Sequence, residues 1–351
     1  MTIMDPPVWF FSLACLGALY ISAISVRPLA YLVRCLRRPK DLHRYGSWAI
    51  VTGPTSGLGR SMAFELARRG LNLVLLDLNA ANLQETSDAI KSLHSVAIKT
   101  LVLDLSLVAT PQGDEAIRRL QEAIQGLQVG LLVNNAAVNT PGAVYLHEAD
   151  IERFVRMIRV NLWGLTEVTA AVLPTMLARG RGAIVNVGSG STLAVPSFPL
   201  YTVYSSTKKY VAHLSRSLYV EYRSKGIDVQ YQVPFYVDTR MLSSAVKAKL
   251  RPWFVATPDD YTRTAATWIG NGPLCVPGAA QKLQWWLTGF VPDWVHDWYR
   301  IRLHLQHREI LHGPRAVIAN GNSRGGQAER PPNGNSSLGP NNGSLGPNNR
   351  D

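Results

Sequence analysis

Tyr204 and Lys208 stand four residues apart in the run Tyr-Ser-Ser-Thr-Lys, a spacing that puts a phenol and an ammonium on one face of a helix. A free phenol, with a pKa of about 10, is a poor proton donor near neutrality. A neighbouring cation stabilises the phenolate and lowers that value, which makes tyrosine a usable acid or base. Such a pair is common on solvated helices and takes its meaning from what precedes it. Upstream, Thr52-Gly53-Pro54-Thr55-Ser56-Gly57-Leu58-Gly59 separates an apolar run from an amphipathic one. Glycines in that place allow a tight turn and a close backbone approach to a pyrophosphate, and the helix N-terminus behind them offers free N–H groups. Gly53, Thr55, Ser56, Gly57, Leu58 and Gly59 are therefore candidate dinucleotide-binding residues. Asp77 ends the next apolar run, 18 residues past Gly59, where a carboxylate can bind the adenosine ribose hydroxyls.

These residues need a scaffold, and the hydrophobic pattern supplies one. "SWAIVTG", "LNLVLLD", "IKTLVLDL", "VGLLVNNA", "GAIVNVGS" and "GIDVQYQVP" are short runs, apolar almost throughout, separated by helical stretches such as "LGRSMAFELARRG" and Ser205–Lys225. Uninterrupted apolar runs belong to strands buried on both faces, and strand–helix alternation predicts right-handed crossovers. The fold class expected is α/β, a Rossmann-type doubly wound parallel sheet forming a single catalytic domain over 45–280. Every motif then falls at a strand end. Asp104 ends the third strand and can face an adenine, and Asn135 and Ala136, in "NNAA", end the fourth where small side chains leave room for the cofactor.

Thr-Gly-x-x-x-Gly-x-Gly, Asn-Asn-Ala, a strand-end serine and Tyr-x-x-x-Lys, in this order, resemble the short-chain dehydrogenase/reductases over about 45–278. "RYGSWAIVTGPTSGLGR", "GAIVNVGSGS" and "IDVQYQVPFYV" are similar to the very-long-chain 3-oxoacyl-CoA reductases of plants, endoplasmic-reticulum enzymes of fatty-acid elongation. The resemblance implies that Tyr204 donates the proton and that Lys208 lowers its pKa and holds the nicotinamide ribose. It further implies that Asn161, in "RVNLWG", belongs to the proton relay, and that Val237 and Thr239 contact the cofactor, Thr239 near the nicotinamide carboxamide. For the serine that binds the substrate carbonyl, counting from Asn186 selects Ser189 and counting back from Tyr204 selects Ser191; the "GSG" form favours Ser189.

The reaction so implied is NAD(P)H-dependent reduction of a long-chain 3-oxoacyl-CoA. Two alternatives stand beside it: a hydroxysteroid or other lipid-alcohol dehydrogenase, and a non-catalytic partner in a membrane elongation complex. One departure bears on the cofactor. The elongation reductases carry a small residue and then an arginine after the second strand, the arginine meeting the 2′-phosphate of NADPH. Asp77-Leu78 stands there instead, which favours NADH, with Arg60 able to offset it in part. "NNAA" in place of "NNAG" is a milder change.

The ends read differently. Val8–Val26 is 19 residues without a charge, about the length of a membrane-spanning helix, and Arg27, Arg34, Arg37, Arg38, Lys40 and Arg44 follow it. Segment 1–44 is therefore expected to be a transmembrane anchor with a basic juxtamembrane stretch, its C-terminal side in the cytosol. With the family resemblance this places the protein in the endoplasmic-reticulum membrane. Segment 281–312 holds Trp285, Trp286, Trp294 and Trp298, suited to a substrate lid or a membrane-interface contact. Residues 313–351, rich in Gly, Asn, Ser and Pro, are expected to be disordered. The net charge of +12 comes with no arginine-aromatic nucleic-acid motif, and three scattered cysteines make neither a disulfide framework nor a metal site.

Overall fold

The computed structural model describes residues 7–35, 38–139, 142–242, 247 and 255–313. The six expected apolar runs are strands: β1 (Trp48–Thr52), β2 (Asn72–Asp77), β3 (Ile98–Val102), β4 (Val129–Asn134), β5 (Gly182–Val187) and β6 (Ile227–Gln232). A seventh, β7 (Leu274–Cys275), was not expected; two residues carry too little pattern to be read in a sequence. All pair in parallel in the order β3-β2-β1-β4-β5-β6-β7, the Rossmann arrangement in which strand order reverses between β1 and β4.

Side chains alternate across a strand, so a sheet covered on both sides needs two cores. Ala49, Val51, Leu73, Leu75, Leu131 and Val133 pack on one face, against Met62 and Leu66 of α2 (Gly57–Arg68), Leu83 of α3 (Ala80–Leu93) and Ala265 of α9 (Pro258–Thr267). Ile50, Val74, Leu132 and Ile184 pack on the other, against Leu120 of α4 (Pro111–Ile124), Val172 of α6 (Leu165–Ala178) and Leu218 of α8 (Thr202–Tyr222). One helical run precedes β5, and its winding changes midway. A π-helical segment, Arg159–Gly164, separates α5 (Ile151–Ile158) from α6.

One polar chain crosses this apolar interior. Thr169 of α6 accepts from Asn134 Nδ2 at 2.9 Å, and the same amide donates to Asn186 Oδ1 at 2.8 Å. Asn134 and Asn186 are direct partners in the β4–β5 register. Asn186 Nδ2 then donates to Ser215 Oγ of α8 at 2.9 Å, and Ser215 to Val211 O at 2.6 Å. All four side chains are buried, where an unpaired polar group is costly. The chain fixes α8, which carries Tyr204 and Lys208, to the central strands.

At the N-terminal side, Asp228 of β6 accepts from Lys40 Nζ at 2.9 Å and from Tyr45 Oη at 2.5 Å, which ties the segment before β1 to the far half of the sheet. Ahead of it lies α1 (Val8–Cys35). Its Trp9, Phe10, Phe11, Leu13, Leu16 and Leu19 are each more than half exposed. Among the described residues no helix is long and apolar enough to cross a membrane. The transmembrane anchor expected over 1–44 is thus not supplied by the fold itself, which provides a long helix of exposed apolar side chains in its place; residues 1–6 and 36–37 lie outside the described residues.

The Trp-rich stretch forms α10 (Ala279–Thr288) and α11 (Asp293–His312). One side of the pair grips the loop after β5. Trp285 Nε1 donates to Leu193 O at 3.2 Å, His304 Nδ1 lies 2.6 Å from Pro199 O, and Ser197 bonds Asp297. Arg308 Nη2 reaches Glu148 at 2.9 Å. The other side leaves Trp286, Phe290, Trp294 and Trp298 exposed. Residues up to Leu311 make up one compact unit; of a second, His312–Asp351, only His312 and Gly313 are described, so the expected disordered tail lies outside the described residues.

The polar chain yields a stability test. Asn186→Ala strips a partner from both Asn134 and Ser215, and the loss expected in denaturant unfolding is about 3 kcal/mol, at about 1–3 kcal/mol per orphaned group. A loss below about 1 kcal/mol would mean that water reaches the gap and the chain is dispensable.

Candidate active site

A cleft of about 410 Å³ opens at the C-terminal edge of the sheet, beside the switch between β1 and β4. Its floor is the turn from β1 into α2. Gly53 and Gly57 have φ of +65° and +53°, conformations that favour glycine. Gly59 does not line the cleft. It is needed for packing, because a Cβ there would lie 2.0 Å from Gly53 O and 2.3 Å from Asn135 Nδ2. Ser56 precedes α2 without capping it, so the first-turn N–H groups, next to the lining residues Ser56, Gly57 and Leu58, remain available to an anion. Asn135 binds this turn to the end of β4: its amide donates to Thr52 O at 3.0 Å and Gly53 O at 3.1 Å. Thr52 Oγ1 in turn accepts from the N–H groups of Asn135 and Ala136 at 3.0 and 2.9 Å.

Asp77 and Asp104 line the same end of the cleft. Asp77 Oδ2 accepts from Thr55 Oγ1 at 2.8 Å and Oδ1 from Leu78 N at 2.7 Å, so the carboxylate is oriented from both sides. Asp104 Oδ1 accepts from Ser106 N and Oγ at 2.8 and 2.7 Å. Arg60, expected to offset Asp77, does not line the cleft. Its guanidinium lies 5.0 Å from the Phe64 ring centre and 3.9 Å from Glu85. The turn, its uncapped helix end and the two carboxylates fit a dinucleotide with a free adenosine ribose.

Ser189, Tyr204 and Lys208 meet at the inner end, with Val237 and Thr239 on the opposite lip. The structure separates the two candidate serines. Ser189 lines the cleft together with Tyr204, and its hydroxyl opposes the rise that burial causes in the phenol. Ser191 sits behind it, donating to Ser189 Oγ from its own N–H at 3.2 Å and its hydroxyl at 2.9 Å. With two donors already on its oxygen, Ser189 keeps its one hydrogen for the cleft side. Asn161 is buried away from the cleft, in the π-helical segment, a device common at functional sites. Its side chain accepts from Val138 N at 2.7 Å and donates to Val138 O at 2.9 Å and Thr207 Oγ1 at 3.2 Å.

Burial and the reach of the lysine side chain set the electrostatics of the pair. Lys208 shares the face of α8 with Tyr204, but its ammonium donates to Val187 O at 2.9 Å. Burial pushes the Tyr204 phenol up, and the Ser189 hydroxyl opposes that rise in part. Burial also brings Lys208 down to about 8. Helical i, i+4 spacing sets a shared direction, whereas the far end of a long side chain goes to the best acceptor in reach.

Several lining residues went unremarked in the sequence. Phe235, Tyr236, Arg240, Met241 and Leu242 follow β6, and their place after a parallel strand could have marked them, since ligands bind at that edge. Arg156 of α5 and Val187 O carry no such signal.

A model of the short chain dehydrogenase family matches residues 47–250. A very-long-chain 3-oxoacyl-CoA reductase-like protein of Arabidopsis thaliana is 42% identical over 312 residues, 88% of this chain and 98% of that protein. The human inactive hydroxysteroid dehydrogenase-like protein 1 is 32% identical over 296 residues, 82% of this chain and 88% of that one. Among solved structures, a short-chain dehydrogenase from Sphingobium yanoikuyae in complex with NADPH is 27% identical with a TM-score of 0.58, covering 70% of this chain and 96% of its own.

The buried ammonium gives the site a pH signature. In the folded protein Lys208 titrates at about 8, below its ordinary 10.5, so the unfolded chain holds more protons between those values. Stability therefore rises with pH across that window, the cost of burial being full below 8 and relieved towards 10.5. Lys208→Met abolishes this titration. Between about pH 7.5 and about pH 9.5 the wild type should gain about 2 kcal/mol relative to the variant in denaturant unfolding. Parallel pH profiles would mean that the ammonium is solvated.

Proposed function

The chain belongs to the short-chain dehydrogenase family, an oxidoreductase acting on CH–OH and C=O groups, and from that premise we propose that it reduces long-chain 3-oxoacyl-CoA to 3-hydroxyacyl-CoA in fatty-acid elongation, using NAD(P)H. The observation that carries this reading is the meeting of Ser189, Tyr204 and Lys208 at the inner end of the glycine-turn cleft. The extended likeness to the Arabidopsis reductase-like protein supports the substrate class. When bound, the dinucleotide supplies the hydride that goes to the carbonyl carbon. The carbonyl oxygen accepts a hydrogen bond from Ser189, whose own oxygen is occupied by Ser191. Tyr204 gives its phenolic proton to that oxygen as charge develops there, and the product is the alcohol. Lys208, held by Val187 O, places a positive charge beneath the site, and Asn161 holds the Val138 backbone at the cleft wall.

A second reading, NAD-linked oxidation of a hydroxysteroid or other lipid alcohol, is favoured by Asp77. Its carboxylate lines the cleft, where it repels a 2′-phosphate, and Arg60 is engaged elsewhere. A third, a non-catalytic partner in a membrane elongation complex, is raised by the human relative named inactive; the full set of Asn161, Ser189, Tyr204 and Lys208 weighs against it.

The proposal also assigns α1 to an endoplasmic-reticulum membrane, with the α/β unit on the cytosolic side. Its support is the charge-free run Val8–Val26, the exposed apolar side chains of α1 and the basic residues that follow. The α10–α11 pair, which grips the loop between β5 and α8, is assigned to the substrate side of the cleft.

Tyr204→Phe should lower kcat at least about 100-fold while dinucleotide binding, followed by fluorescence titration, stays intact. A variant that still turns over 3-oxoacyl-CoA would remove Tyr204 from the chemistry. The same titration on wild type decides between the readings: tighter NADH than NADPH binding is expected from Asp77, and tighter NADPH binding would overturn the charge argument. For the anchor, the full chain should remain with membranes after alkaline carbonate extraction. Release into the supernatant would refute it.

A further inference from the structure

Tyr231 lies on β6, is 2% exposed, and takes no part in the steps above. Three groups surround its hydroxyl. Ser189 N donates to it at 3.2 Å, Thr192 Oγ1 is 2.8 Å away and Lys208 O is 3.3 Å away. Counting hydrogens sets the directions. Thr192 has one hydroxyl hydrogen, and it goes to Ser189 O at 2.7 Å. Thr192 Oγ1 is therefore an acceptor towards Tyr231, whose hydrogen goes to it, with Lys208 O as the longer alternative. The bonds close a ring: Ser189 N–H to Tyr231 Oη, Tyr231 O–H to Thr192 Oγ1, Thr192 O–H to Ser189 C=O. Both backbone groups of Ser189 are held by side chains that are themselves buried.

The tyrosine ring backs the same turn. A Cβ at Gly188 would lie 2.0 Å from its Cζ, so the glycine before Ser189 lets the ring sit directly beneath it. The turn needs such support. Ser189 caps a helix of only four residues, α7 (Gly190–Leu193), too short to hold its own geometry. Lys208 O adds a contact to α8, so the hydroxyl touches both elements that carry the reacting groups.

We propose that Tyr231, closing this ring with Thr192, is a positioning residue that fixes the Ser189 hydroxyl relative to Tyr204. The inference rests on the reading above in which Ser189 binds the substrate carbonyl, and its function is geometric, since a displacement of about 1 Å at a reacting group costs up to about 100-fold in rate. Burial holds the Tyr231 phenol at about 12, so the ring keeps its hydrogen through the neutral range.

The test uses the full-length protein and Tyr231→Phe, which retains the ring over Gly188 and removes only the hydroxyl. Amide hydrogen exchange over 188–192 should speed up about tenfold while that of α8 stays unchanged. Thr192→Val, which opens the ring on its other side, should speed the same amides. The kcat of Tyr231→Phe should fall about tenfold with KM for the dinucleotide unchanged within about twofold. In a Ser189→Ala background Tyr231→Phe should add nothing further. Unaltered exchange in both variants would overturn the brace, whatever the substrate. An equal loss of kcat with and without the Ser189 hydroxyl would also overturn it, by showing that Tyr231 acts on something else. If Ser189→Ala leaves turnover intact, the role of Ser189 in catalysis fails, and the exchange measurement still decides the brace.

Discussion

A parallel sheet buried on both faces has only its edges to offer for polar chemistry, and this molecule is organised around that constraint. Its strands point their C-terminal ends the same way, and β4 and β5 are buried at every position. Glycine turn, carboxylates, serine and lysine therefore collect at one edge, each one step past a strand or at the start of a helix. The strand order reverses between β1 and β4, so the crossovers diverge there and leave a cleft. The exception to the apolar interior, the chain Thr169–Asn134–Asn186–Ser215, joins each member to the next, leaves Asn134 Oδ1 without a partner, and fastens α8 to the sheet from within.

Segments beyond the strand ends lack ladder hydrogen bonds, and here side chains supply the missing partners. Asn135 binds the carbonyls of Thr52 and Gly53. Asn161 takes both backbone groups of Val138. Tyr231 and Thr192 take both backbone groups of Ser189. Apart from the local bond of Thr192, a side chain from one element grips the main chain of another in each case, so three loops of the cleft are tied to elements distant in sequence. A buried amide or hydroxyl that satisfies a loop's N–H and C=O avoids the desolvation cost of leaving them unpaired. Rigidity of the cleft wall and hydrogen-bond satisfaction are here one requirement.

Burial sets the electrostatics of the inner end. It disfavours the charged form of both members of the Tyr204–Lys208 pair, raising the phenol and lowering the ammonium. Lys208 answers by donating to Val187 O, and the Ser189 hydroxyl partly offsets the rise at Tyr204. The mouth differs, since Asp77 is held by Thr55 and a backbone N–H and keeps its carboxylate in the cleft lining. The two ends of the cleft thus differ in character, an oriented carboxylate at one and buried titratable groups at the other.

Much of this was legible in the residues alone. Apolar runs split by helical stretches point to a parallel sheet covered by helices, because such a layering buries the strands on both faces; the glycine turn and the Tyr-x-x-x-Lys pair follow from local spacing, which a helix or a tight turn converts directly into geometry. What needed the tertiary structure is whatever depends on residues brought together from afar. Ser189 and Ser191 are equivalent by counting, and only the packing of the turn against Tyr231, 42 positions from Ser189, puts one in the cleft and the other behind it. Arg60 follows the glycine turn and was expected to offset Asp77, yet α2 turns it to Phe64 and Glu85. Lys208 shares a helix face with Tyr204 but spends its ammonium on a β5 carbonyl. Local spacing decides direction along one element, and the partner a polar group finally takes is decided by the free energy of leaving it without one once the elements are packed.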